Sequence, residues 1–196
     1  MGRRVTAVEP EKGDRVRIDL DGVPWRVVPT LAAVRARLTP GIELDRERAL
    51  ELHRALRATE ADTRATRALA RRDRTRASLD ALLERRGIRP DDRKQAIKRL
   101  ADAGALDDNR YAHNRAATLA TRGYGDRAIR HDLEQAGAAP TVIDQAIEAL
   151  TPETERLHAI VGPSPTLRDL RRLATKGFDS AALEDLAATL GFDEAA

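Results

Sequence analysis

Cysteine is absent from the 196 residues, and aromatic residues make up only 3% of them, with one tryptophan, two tyrosines and two phenylalanines. The first absence excludes disulfides and thiolate metal sites and fits a reducing compartment. The second leaves leucine, alanine, isoleucine and valine to build any core, and it removes most of the platforms on which single-stranded bases stack. No apolar run approaches the roughly 18 residues that a membrane-spanning helix needs. The Met1-Gly2-Arg3-Arg4 start is not followed by a signal-peptide core. These features predict a soluble, cytoplasmic protein without membrane contact. Serine stands only at 78, 164 and 180, none in a nucleophile-elbow context. His53, His113, His131 and His158 fall singly on different predicted helices, without the i, i+4 pairing of a helical zinc site. Each reads as a partly exposed helix residue. No catalytic, metal or cofactor site is expected, and the chain is read as non-enzymatic.

What the chain does contain is a helical signature that appears three times: Leu79, Leu83, Gly87; then Ile129, Leu133, Gly137; then Leu173, Gly177, with Asp169 in place of the first anchor. Leu100, Leu150 and Leu190 each follow their glycine by the same interval. Apolar residues four apart share one helix face, and a glycine after the last of them suits a left-handed C-cap. Pro90 and Pro140 stand at matching places, where the first turn of a helix tolerates the missing N–H. Each unit therefore reads as helix, glycine stop, helix. Such a unit is too small to bury its own apolar face, so several must stack, an arrangement built for contact with another macromolecule.

Before the repeats, Val5 and Val8, then Val16, Ile18 and Leu20, then Val23, Trp25 and Val27 alternate as short strands do, with Asp21-Gly22 as a hairpin turn. Pro40-Gly41 marks a further turn, and Asp45 is placed to cap one or two helices over the tract to Arg72. The expected fold is mainly α, an elongated, right-handed modular array of three-helix repeats with a small N-terminal β-sheet region. Its divisions are 1–62, an extension of short strands and then helix; 63–106, the first repeat, with helices near 63–72, 75–86 and 90–103; 107–150, the second; and 151–196, a divergent third. In the second repeat Gly123-Tyr124-Gly125 reads as a linker, and in the third Gly162-Pro163-Ser164-Pro165 makes the first interruption.

The net charge of +3 conceals a division. Residues 1–100 carry 25 Lys and Arg against 16 Asp and Glu, a net of +9, while the remainder carries 10 against 16, a net of −6. One end is thus suited to a polyanion or an acidic protein surface. The basic residues gather as Arg64, Arg67, Arg71, Arg72, Arg74 and Arg76, then Arg85, Arg86, Arg89, Arg93, Lys94, Lys98 and Arg99. Arginine suits bidentate contacts to phosphate or carboxylate, whereas a solvated helix face balanced by Asp73, Glu84, Asp91 and Asp92 is the plainer account. Asp107 and Asp108 are read as helix-start residues that satisfy free N–H groups, rather than as a metal or acid–base pair. Tyr111 and Ala112, one turn on, are packing residues on this reading.

With the repeats laid out, the sequence resembles the RecX family of bacterial RecA regulators. RRDRTRASLDALLERRGI, residues 71–88, is similar to the family's basic turn leading into a helix that ends in glycine. LADAGALDDNRYA, residues 100–112, resembles its most recognisable stretch through Leu106, Asp107, Asp108, Tyr111 and Ala112. RGYGDRAIRHDLEQAG, residues 122–137, matches a further element through Gly125, Ile129, Arg130, Leu133 and Gly137. DGVPWRV and LTPGIELD resemble the family's optional N-terminal extension. Ser78 stands where the family usually has glutamate, and Arg115 where an aromatic residue is common, which predicts weaker packing of the second repeat.

The resemblance implies a monomer that binds RecA filaments on DNA and inhibits filament growth, ATP hydrolysis, strand exchange and coprotease activity. DNA would be contacted weakly or through RecA. The residues expected to meet RecA or DNA are Arg67, Arg71, Arg72, Arg74, Arg76, Arg85, Arg86, Arg127 and Arg130. The alternative is a stand-alone DNA-binding protein of helix-turn-helix type.

Overall fold

The computed structural model describes residues 2–161 and 166–189. Two parts of the repeat pattern, the Gly162-Pro163-Ser164-Pro165 interruption and Leu190, lie outside the described residues. The N-terminal segment forms an antiparallel sheet in the order β3-β2-β1-β4, from β1 (Arg3–Glu11), β2 (Arg15–Leu20), β3 (Val23–Pro29) and the two-residue β4 (Glu43–Leu44). Asp21 and Gly22 both take positive φ, 52° and 81°, as the β2–β3 hairpin requires. The phase of β3 departs from simple alternation. A register slip opposite Ile18 and Asp19 leaves Trp25 without an opposite residue, so Val28 pairs with Val16 in the core while Val23, Trp25 and Val27 are exposed. One extra residue moves every later side chain to the other face.

Helix α1 (Thr30–Arg35), which the sequence pattern did not indicate, and α2 (Arg46–Leu69) cover the sheet. Val5, Ile18 and Leu20 pack there with Ala32, Ala33 and Leu52. Asp45 caps α2 as expected, its carboxylate accepting the Arg48 N–H at 2.9 Å. The helix runs through residues 62 and 63 without a break, so the helix expected near 63–72 is the C-terminal part of α2. Its buried stripe of Ala61, Ala65 and Ala68 lets α4 (Pro90–Asp102), with buried Ala96, pack against it. Helix α3 (Arg76–Arg85) lies between them in sequence and places the fully buried Leu79 and Leu83 one turn apart.

The chain divides into two compact units, Met1–Arg72 with Leu79–Ala105, and Asp73–Ser78 with Leu106–Ala196. The second holds α5 (Asp108–Thr121), α6 (Asp126–Gln135), α7 (Pro140–Glu148), α8 (Glu153–Ile160), α9 (Leu167–Thr175) and α10 (Ser180–Thr189). Ala112, Ala116, Ile129, Leu133 and Ile143 form one core there, and Leu157, Leu170, Leu173, Phe178 and Leu183 another. In the third repeat the missing anchor moves by one position: Leu170 fills the core and Asp169 turns to the helix start. No helix among the described residues is long and apolar enough to cross a membrane.

Candidate interface residues and the joins between repeats

The aspartates of the Asp107-Asp108 pair have different tasks. Asp107 is the N-cap of α5, its carboxylate accepting the Arg110 N–H at 3.0 Å, and that bond holds its carboxyl below the usual carboxylate range. Asp108, the first residue of α5, reaches across to the first residue of α3 and accepts the Arg76 N–H at 2.9 Å. The next join repeats the device. Glu153, the first residue of α8, accepts the N–H of Asp126, the first residue of α6, at 2.5 Å, and its other oxygen accepts the Asp179 N–H at 3.1 Å. An acid opening each of these two helices thus satisfies an orphan donor of an earlier helix and meets its positive dipole end.

The glycine ladder serves the same joins. Gly137 and Gly177 have positive φ, 76° and 83°, and end α6 and α9. A Cβ on Gly137 would stand 2.6 Å from the Ala77 methyl, and one on Gly177 would stand 2.5 Å from that of Ala128. The carbonyl before each glycine accepts a hydrogen bond from the helix start it rests on: Ala136 from the Thr75 hydroxyl, Lys176 from the Gly125 N–H at 3.0 Å. Gly87 has open space around its Cβ position, and the Arg86 carbonyl before it is instead held by the Arg64 guanidinium at 2.8 Å.

Gly123-Tyr124-Gly125 is therefore not a simple linker. Arg156 donates to the Tyr124 carbonyl at 2.9 Å and pairs with Asp126, while Lys176 donates to the Arg122 carbonyl at 2.9 Å and lies over the Tyr124 ring. At Gly125 a Cβ would fall 2.3 Å from the Phe178 nitrogen. Leu106 and Ala112 are buried, and Tyr111 packs against the core built by Ala112, Ile129 and Leu133. Arg115 is no defect in that packing. It makes two bonds to Asp132, at 2.8 and 2.7 Å, which tie α5 to α6 and hold the Asp132 carboxyl below its ordinary range.

The ion pairs divide the basic residues. Arg64 is paired with Glu60, Arg93 with Asp80 and Glu84, Lys98 with Asp102, and Arg99 with Asp62. Of the nine expected contact residues, Arg130 is paired with Asp144 at 2.7 Å, Arg127 reaches the Ala174 carbonyl at 3.5 Å, and Arg74 is half-buried. Arg67, Arg71, Arg72, Arg76, Arg85 and Arg86 have exposed side chains with no ion pair among the described residues. Arg76 belongs to the second unit and the other five to the first. The four histidines are all exposed on helices, and among the described residues no group of His, Asp and Glu is arranged to hold a metal ion.

Glu153 and Arg156 were missed in the sequence. Glu153 could have been found by setting the opening of the third repeat beside Asp108, since both begin the leading helix.

Residues 107–147, which contain the first of these acids and the Gly125–Gly137 element, match the family model described as RecX, second three-helix domain. The regulatory protein RecX of Chromohalobacter salexigens is 36% identical over 125 residues, 59% of this chain and 82% of that protein. The chain belongs to the RecX family. The RecX of Halorhodospira halophila is 39% identical over 84 residues, 43% of this chain and 52% of that protein, so the match spans about half of that relative. A crystal structure of a regulatory protein RecX superposes with a TM-score of 0.79 at 25% identity, covering 93% of this chain and 97% of that one. RecX from Lactobacillus salivarius shares the fold, with a TM-score of 0.60 at 19% identity over 69% of this chain and 97% of that one. The mainly α fold with three-helix repeats and a small N-terminal sheet is that of the RecX family.

Proposed function

We propose that the protein is a non-enzymatic, monomeric cytoplasmic regulator that binds RecA and RecA–DNA filaments. It inhibits filament growth, ATP hydrolysis, strand exchange and coprotease activity, and so modulates DNA repair and the SOS response. Membership of the RecX family is the observation that carries this reading, since its relatives are named regulatory proteins. The exposed guanidinia of Arg67, Arg71, Arg72, Arg76, Arg85 and Arg86 support it, because they make no ion pair among the described residues. Consecutive repeats meeting consecutive protomers of a lattice gain effective concentration, so individually weak contacts suffice.

Co-sedimentation with RecA assembled on single-stranded DNA tests the reading. The protein is expected to pellet with filaments well beyond what DNA alone retains. Equal retention by naked DNA and by filaments would remove the RecA partner. The helix-turn-helix alternative predicts retention on duplex without RecA, some sequence preference, and an affinity that falls steeply with salt.

A further inference from the structure

Thr75 and Thr59 are the polar residues buried among the described ones, and Thr75 has no exposed surface at all. It ends the irregular segment between α2 and α3, with Arg74 before it and Arg76 after it. A hydroxyl kept from water needs a partner for its hydrogen and for its oxygen. Both are met: the Thr75 hydroxyl donates to the Ala136 carbonyl after the end of α6, and its oxygen accepts the Ser78 N–H at 3.0 Å. The Ser78 hydroxyl in turn donates to the Thr75 carbonyl at 3.1 Å.

Arg76 lies inside this arrangement. Its own N–H is taken by Asp108 at 2.9 Å, and the methyl of Ala77, the next residue, faces Gly137. Residues 75–78, 108, 136 and 137 all belong to the second compact unit. The backbone at Arg76 is therefore tied to α5 through Asp108 and to α6 through Thr75. Its side chain is not tied: the guanidinium is exposed and makes no ion pair among the described residues. Its charge still reaches the α5 start, where the Arg110 N–H first, and Arg76 in smaller part, hold the Asp107 carboxyl below the usual carboxylate range.

Capping alone does not require such ties. The α9 start is closed locally, by Thr166 and Asp169 acting on each other, whereas the α3 start is bonded outward to two helices of the following repeat. We infer that Thr75 is a positioning residue for the proposed RecA contact, holding the Arg76 guanidinium where the filament meets it. This role rests on the regulatory reading above. An arginine on a locked backbone gives up less freedom on binding than one on a free segment, and the difference appears as affinity.

The test is a double-mutant cycle on the full chain, with binding to RecA filaments on single-stranded DNA read by co-sedimentation and stability read by melting temperature. Thr75→Val keeps the shape and removes the hydroxyl. It is expected to weaken binding about fivefold in the parent, and less than about twofold where Arg76→Gln is already present. Its loss of melting temperature should be the same in both backgrounds. Thr75→Ser, which keeps the hydroxyl, should bind within about twofold of the parent. Equal weakening by Thr75→Val in both backgrounds would overturn the inference, because a merely structural threonine acts whether or not the arginine is there. If Thr75→Val does not fold, Asp108→Ala, which frees the Arg76 N–H, takes its place in the cycle with the same two outcomes. A parent protein that does not pellet with filaments would remove the RecA reading and this role together, whereas equal weakening removes the role alone.

Discussion

Gly87, Gly137 and Gly177 look alike in the sequence, yet their surroundings set different costs for a methyl group. All three have positive φ, so alanine at any of them carries a left-handed penalty of about 1 kcal/mol. Around Gly87 there is nothing else to meet, whereas at Gly177 the new methyl would also displace the backbone of Ala128, at 2.6 Å. Overpacking adds about 1–3 kcal/mol. Urea unfolding should therefore show Gly177→Ala to be clearly more destabilising than Gly87→Ala; equal losses would mean that the glycine acts only as a helix stop. Arg115 and Asp132 make a pH prediction. Because Arg115 depresses the folded-state pKa of Asp132, the pair contributes fully above the unfolded carboxylate value of about 3.9 and is lost as pH falls through the lower folded value. With both side chains about a third exposed, solvent limits the contribution to about 1 kcal/mol. Asp132→Asn should be less stable than the parent at pH 7, and the difference should shrink as pH falls below the ordinary carboxylate range. A constant difference across that range would contradict the assignment.

At the level of elements, the sequence discloses most where the signal is local. The Asp21-Gly22 hairpin, the Asp45 and Asp107 caps, and Pro90 and Pro140 at helix starts depend on neighbours within a few residues, and all are found as read. Short elements without local punctuation escape: α1 has six residues and no side-chain cap, and β4 consists of a two-residue pairing with β1. What joins the repeats is hidden from spacing alone for another reason. Asp108 finds its donor 32 residues away and Glu153 finds its donor 27 away, so neither spacing carries a periodic signal. Arg115 was misread because its partner Asp132 lies on the next helix. Glu153 carries the prediction at this scale, since one carboxylate satisfies the starts of both α6 and α10. Glu153→Ala should raise hydrogen exchange most at the starts of α6 and α10, where the Asp126 and Asp179 N–H groups lose their acceptor, while α5 and α7 keep their protection. Uniform loss across both repeats would show that they unfold as one block.

Across the molecule, the joins give the repeat pattern a direction. The helix starts at Arg76 and Asp126 each receive an acid from the repeat that follows. The α9 start instead carries its own capping box, in which Thr166 and Asp169 satisfy each other's N–H groups. The third repeat thus completes its own helix start, and its divergence from the leucine and glycine pattern goes with that role. Internal ion pairs and caps use many of the charged residues, and the proposed contact arginines Arg67, Arg71, Arg72, Arg76, Arg85 and Arg86 make no ion pair among the described residues. RecA ATP hydrolysis on single-stranded DNA, measured with this protein added below stoichiometric amounts, tests that account most directly. Hydrolysis is expected to fall progressively with the parent protein, and the Arg71→Glu, Arg72→Glu, Arg76→Glu variant should need at least about tenfold more protein for the same loss. ATP hydrolysis that stays unchanged at every ratio of parent protein to RecA would contradict it.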